Sequence, residues 1–201
     1  MRARLAAGVI VGVCLDAAAC GSPSSPSPVG FNVYGRVLDF STAAPVSGKM
    51  VAFGDIDSGP FRATATATSG VDGSYALTVP ARLSNYIIEV DGTYAGLAHP
   101  AAPYRGDLFV NVGTCIARYG TVVDSKTARP ITGAVVTLVN GNATTDADGW
   151  YRLDLGCPST PPLPGNTTFM YVQHPDYMNQ SESIGRGVSG VERRDVSMSP
   201  R

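Results

Sequence analysis

The stretch Thr144-Thr-Asp-Ala-Asp-Gly-Trp-Tyr-Arg-Leu-Asp-Leu155 runs from a turn into a strand, and Thr68-Ser-Gly-Val-Asp-Gly-Ser-Tyr-Ala-Leu77 repeats it earlier in the chain. In both, an Asp-Gly pair (Asp72-Gly73 and Asp148-Gly149) supplies the residues that tolerate positive φ in a tight hairpin. The residues after each pair alternate polar and apolar as a half-buried strand does. That alternation turns Tyr75, Leu77 and Val79 inward in the earlier stretch, and Tyr151, Leu153 and Leu155 in the later one.

The repeat reaches well beyond the turn. Tyr34, Gly35, Val37, Asp39, Thr42, Pro45, Gly48 and Val51 recur in order as Tyr119, Gly120, Val122, Asp124, Thr127, Pro130, Gly133 and Val136. Later apolar runs follow in each copy: Tyr86–Val90 and Asp107–Val112, then Phe169–Val172 and Asp195–Met198. With 23 glycines and 15 prolines punctuating runs of Val, Thr and Tyr, the chain reads as all-β, with no convincing long helix after the N-terminus. Its 201 residues, 44% of them apolar, suffice for two small cores. Short strands with one apolar face must bury it against a second sheet, which predicts β-sandwiches.

The pattern Gly-x-Val-x-Asp, a Pro-x-x-Gly turn before a Val-rich strand, and then Thr-Asp-x-Asp-Gly-x-Tyr-x-Leu resembles the carboxypeptidase regulatory-like domain. The resemblance implies a transthyretin-like sandwich of a kind common in secreted bacterial proteins. It is close over residues 114–201, while residues 31–113 depart from it at Ser69-Gly-Val71, where Asp is expected before Val. The fold expected is therefore two tandem transthyretin-like or Ig-like antiparallel β-sandwiches, spanning residues 31–113 and 114–201.

Residues 1–19 have the form of a signal peptide: Arg2 and Arg4, then the apolar run Leu5–Leu15, too short for the ~20 residues that span a bilayer. Ala17-Ala-Ala-Cys20 resembles a bacterial lipoprotein signal, which implies lipidation of Cys20 and a membrane anchor. Ordinary cleavage is the alternative. It would leave Cys20, Cys115 and Cys157, an odd count, whereas lipidation consumes Cys20 and leaves a pair. Residues 20–30 then form a Ser/Pro-rich tether. In an exported chain Cys115 and Cys157 are expected to form a disulfide, since they flank strands that a sandwich could bring close.

Fifteen Lys and Arg nearly balance sixteen Asp and Glu, and no basic cluster accompanies aromatics, so nucleic acid is not an expected partner. Asp146 and Asp148 begin like a calcium loop but no later Glu completes it, and the Asp55/Asp57 pair sits among turn residues. The only histidines, His99 and His174, bring no metal-ligand cluster, and no Gly-x-Ser-x-Gly occurs. The expectation is a non-enzyme with no cofactor and no metal: an extracytoplasmic lipoprotein acting as a binding or structural module, with an envelope protein or glycan as partner. The alternative is a carbohydrate-binding protein. Alternation sends Trp150 and Arg152 outward, where Trp150 could stack on a sugar together with Tyr171 or Tyr177. Trp150 could instead lie under the loop 159–168 or at a contact between domains.

Overall fold

A computed structural model describes residues 30–55, 60–80, 86–99, 104–139, 141–159, 167–186 and 190–201, with residues 167, 168, 185 and 186 described as backbone only. The expected signal peptide, Cys20 and all of the linker but Gly30 lie outside the described residues, as does Asp57. Every regular element among the described residues is a strand, and the fold is all-β.

Two sheets enclose a first core. β1 (Gly30–Asp39) pairs antiparallel with β4 (Ser74–Pro80) and parallel with β7 (Leu108–Val110). Opposite them, β2 (Met50–Asp55) lies between β3 (Arg62–Thr68) and β5 (Tyr86–Val90), and β6 (Thr93–Ala98) extends β5. Val33, Val37, Phe53, Tyr75, Val79, Tyr86 and Ile88 fill the space between. A second core repeats the plan. β8 (Ile116–Asp124) pairs antiparallel with β11 (Trp150–Gly156) and parallel with β15 (Val196–Met198). The facing sheet runs β10 (Gly141–Thr144), β9 (Val135–Leu138), β12 (Thr167–Gln173), β13 (Gln180–Arg186). Val122, Val136, Leu138, Tyr151, Leu153, Met170 and Val172 lie between.

The remaining strand, β14 (Val191–Arg194), inserts parallel to β8 on one side and to β6 on the other. One sheet therefore runs without a break through both halves, in the order β11-β8-β14-β6-β5-β2-β3. The sheets that hold β1 and β8 are mixed rather than purely antiparallel, because the last strand of each half returns alongside its first, while β10-β9-β12-β13 is antiparallel throughout.

The Asp-Gly turns also differ from a hairpin. β3 pairs with β2 while β4 pairs with β1, so the turn at Asp72-Gly73 carries the chain over the rim of the core from one sheet to the other. The turn at Asp148-Gly149 does the same between β10 and β11. Alternation alone sees one inward face per strand and cannot tell a hairpin from a crossing, since both leave that face buried.

The two Asp-Gly turns are held by the same bonds. Val37 N–H donates to the Gly73 carbonyl and Val122 N–H to that of Gly149, each at 2.8 Å. Those glycines have φ of +74° and +69°, and a Cβ on either would stand 2.6 Å from the Val37 or Val122 carbonyl oxygen. Only glycine fits both restrictions. A Cβ on Gly35 would meet the Gly106 carbonyl at 2.3 Å and one on Gly120 the Arg194 carbonyl at 2.2 Å, because the returning chain passes directly over each. Tyr75 and Tyr151 donate their hydroxyls to these same Gly106 and Arg194 carbonyls.

Candidate functional site

Alternation is obeyed at Trp150: Tyr151 and Leu153 enter the second core, and Trp150 and Arg152 point the other way. That other face is nevertheless covered. Trp150 is only 8% exposed, and every residue of β8 is buried, because the first half packs across it. Of the alternatives for Trp150, the exposed sugar platform is thus overturned, and the side chain lies at a contact between the two halves. Four rings cross this seam in sequence: Phe40 against Phe109 at 5.7 Å, Phe109 against Tyr119 at 4.9 Å, and Tyr119 against Trp150 at 5.7 Å. Each such pair contributes roughly 0.5–1.5 kcal/mol beyond its buried area. The Arg152 guanidinium lies 4.4 Å from the Phe40 ring centre and 4.7 Å from that of Phe109, and its Nε donates to Asp154 at 2.9 Å.

Arg193 and Asp195 are the polar centre of the seam, and they are fully enclosed, with side chains 0% and 1% exposed. Arg193 donates from Nε to Asp195 Oδ1 at 3.1 Å, and reaches into the first half to the carbonyls of Arg105 at 2.7 Å and Asp107 at 3.0 Å. Asp195 accepts from Thr121 N–H at 2.9 Å on Oδ1. On Oδ2 it accepts His99 N–H at 2.9 Å and the Tyr104 hydroxyl at 2.8 Å, both from the first half. Burial works against the Arg193 charge, but Asp195, followed by Tyr104, Tyr75 and Tyr119, outweighs it, and the guanidinium pKa is raised. Burial likewise holds the Tyr104, Tyr75 and Tyr151 hydroxyls protonated far above the usual phenol range, with Arg193 opposing it in each.

The sequence carries a sign of this pair. Arg105-Gly-Asp107 and Arg193-Arg-Asp195 stand at matching places before the last strand of each half. Asp107 Oδ1 accepts Arg36 N–H at 3.0 Å, as Asp195 accepts Thr121 N–H, and Arg105 Nε donates to Asp107 at 2.8 Å. Arg105 is solvent-facing and lies 4.3 Å over the Trp150 ring, while Arg193 is sealed in and lies 5.3 Å from it.

The other anticipated residues are scattered. Tyr171 is exposed on the outer face of β12, beside Phe169, and on the far side of the second core from Trp150. Tyr177 is half-buried and donates its hydroxyl to Asp124 at 3.1 Å. Trp150, Arg152, Tyr171 and Tyr177 therefore do not form one site. Cys115, just before β8, is bonded to Cys157, just after β11, beside the aromatic seam. Asp146 Oδ1 accepts the N–H groups of Asp148 at 3.0 Å and Trp150 at 2.9 Å, which engages it as a turn cap. Among the described residues no three His, Cys, Asp or Glu side chains converge as a metal would require. A cleft of about 210 Å³ beside the seam is walled by Val90, Ala95, Phe109, Val112 and Val191, with the Lys49–Asp91 ion pair (2.8 Å) also lining it. These walls carry no nucleophile with an adjacent base.

No family model matches the chain, and no curated protein is similar to it in sequence. Among solved structures it is similar to the Bacillus anthracis TIE protein, with 13% identity, a TM-score of 0.33 and coverage of 85% of this chain; it spans only 34% of that protein. It is also similar to the shaft pilin SpaA from Lactobacillus rhamnosus GG (15% identity, TM-score 0.31, 86% of this chain and 98% of that one). A further likeness is to GBS52, the minor pilin of Streptococcus agalactiae (11% identity, TM-score 0.29, 85% and 96%).

Proposed function

We propose that the chain is a non-catalytic, extracytoplasmic module of the bacterial cell envelope. In this reading it consists of two copies of one transthyretin-like sandwich of the carboxypeptidase regulatory-like type, locked into a rigid body and anchored through a lipid on Cys20. The observation that carries it is the seam. Arg193 and Asp195, charges with side chains 0% and 1% exposed, face one another and the backbone of the opposite half, and not an open cleft. Polar groups so completely satisfied hold an arrangement in place; chemistry needs groups left available to a substrate. The matching Gly73 and Gly149 turns, and the matching Tyr75 and Tyr151 hydroxyl bonds, support the duplication. The Cys115–Cys157 bond supports an oxidising compartment. A Ser/Pro tether then holds the rigid body away from the membrane surface.

Intact-mass and fractionation analysis of the protein from its own cells, beside a Cys20→Ser variant, tests the address. The expected result is a diacylated mature chain beginning at Cys20 in the membrane fraction, and an unlipidated soluble chain from the variant. An unmodified wild-type chain in the soluble fraction would replace the lipoprotein with a diffusible module.

A further inference from the structure

The outer surface of the sheet β10-β9-β12-β13 takes no part in the seam or in either core. Pairing register places Asn142, Thr137, Tyr171 and Ser181 in one row across all four strands. The next row holds Thr144, Val135 and Gln173, with exposed Asn179 just before β13, and Phe169 stands opposite Ser183 on the other side. Phe169 and Tyr171 are 45% and 49% exposed, with ring centres 6.4 Å apart and planes inclined by 38°. None of these positions carries a charge.

We propose that this face binds a neutral polysaccharide, with Phe169 and Tyr171 under successive sugar rings and the surrounding amides and hydroxyls taking the sugar hydroxyls. The complementarity is one of charge and of hydrogen-bonding type. A sugar hydroxyl both donates and accepts, and so do Asn, Gln, Ser, Thr and Tyr, whereas carboxylates only accept and ammonium groups only donate. The apolar C–H face of a pyranose lies on an aromatic ring, and the ring spacing lets neighbouring units of an extended chain reach both. A charged macromolecule would meet no counter-charge in these rows. At one end the face continues into a hollow of about 340 Å³ lined by Val135, Gln173, His174, Asn179 and Arg201; the Arg201 Nε is already engaged by the Tyr177 carbonyl at 2.8 Å.

The proposal extends the module reading and does not depend on the anchor, so the soluble Cys20→Ser chain serves for the test. That chain is run by affinity electrophoresis through gels containing laminarin, xyloglucan, amylopectin or galactomannan, with polygalacturonate as the anionic comparison. The expected result is retardation by at least one neutral polysaccharide and none by polygalacturonate. Tyr171→Ala and Phe169→Ala should each weaken the retardation about tenfold, while Tyr171→Phe keeps most of it. Both positions are exposed, and unchanged Trp150 emission in each variant shows that the fold persists. Three results would overturn the proposal: no retardation in any neutral gel, equal retardation of wild type and the double alanine variant, or a wild-type dimer that the double variant dissociates.

Discussion

At the scale of single residues, the seam depends on one guanidinium. Arg193 is the donor that ties Asp195 to the Arg105 and Asp107 carbonyls, and no solvent reaches it to compensate for a loss. Arg193→Met should cost about 3–5 kcal/mol, because Asp195 is left as a buried charge without its cation. In the double variant Arg193→Met/Asp195→Asn part of that loss should return, a coupling that denaturant titrations of the four chains would measure. Trp150 is the only tryptophan and lies 5.3 Å from Arg193, so its emission should move to longer wavelength in Arg193→Met if the halves part there. An unchanged emission maximum with full loss of stability would place the damage inside the second core instead.

At the scale of elements, strand edges show how the sheets are guarded. β13 is the edge of its sheet, and Glu182 is placed in register with core residue Met170. Burial raises the Glu182 pKa, only partly offset by Arg194. A carboxyl raised in this way favours the fold most below its unfolded value near 4.5, and that advantage is lost as pH rises through its folded value. Glu182→Gln should therefore raise the melting temperature at pH 7 and not at pH 4. It should also increase self-association, since an inward charge is one of the devices that blunt an edge strand. This strand was not legible in the sequence. Gln180-Ser-Glu-Ser-Ile-Gly-Arg186 has the polar composition of an edge, and β14, Val191-Glu-Arg-Arg194, looks like an exposed charged run although it is central. β4 was legible because it has one wet and one dry face, and alternation records that difference; β11 was legible from its sequence alternation although both of its faces are covered at Trp150 and Tyr151. For Trp150 and Arg152 alternation gave the side of the strand but could not choose between open solvent and a contact between the halves, because it reports which side of its own sheet a residue occupies and says nothing of a second layer laid over that side.

At the scale of the whole molecule, buried phenols make the fold sensitive to base. Burial pushes Tyr119 up to about 12, with Arg193 opposing, and Tyr75, Tyr104 and Tyr151 are raised in the same direction. An unfolded tyrosine ionises near 10, so above that pH the unfolded chain gives up protons that the folded chain keeps. Stability should be whole below about pH 10 and fall as pH rises through about 12, by roughly 3 kcal/mol from Tyr119 alone. Tyrosinate absorbance and circular dichroism should then change together in one alkaline transition; early titration of these phenols in a folded chain would contradict their burial. The disulfide opposes such unfolding. Its 42-residue separation is worth about 4 kcal/mol in the chain-entropy model. The place of β14 has a different consequence, for the order of events in folding. Synthesis from the N-terminus exposes β6 and β8 long before residues 191–194 arrive to lie between them. Until then the first half carries an open edge at β6. Closure of the continuous sheet is therefore a late, long-range step, slow by its contact order, and the interval before it is when the polypeptide is most exposed to proteases and to strand pairing with its neighbours.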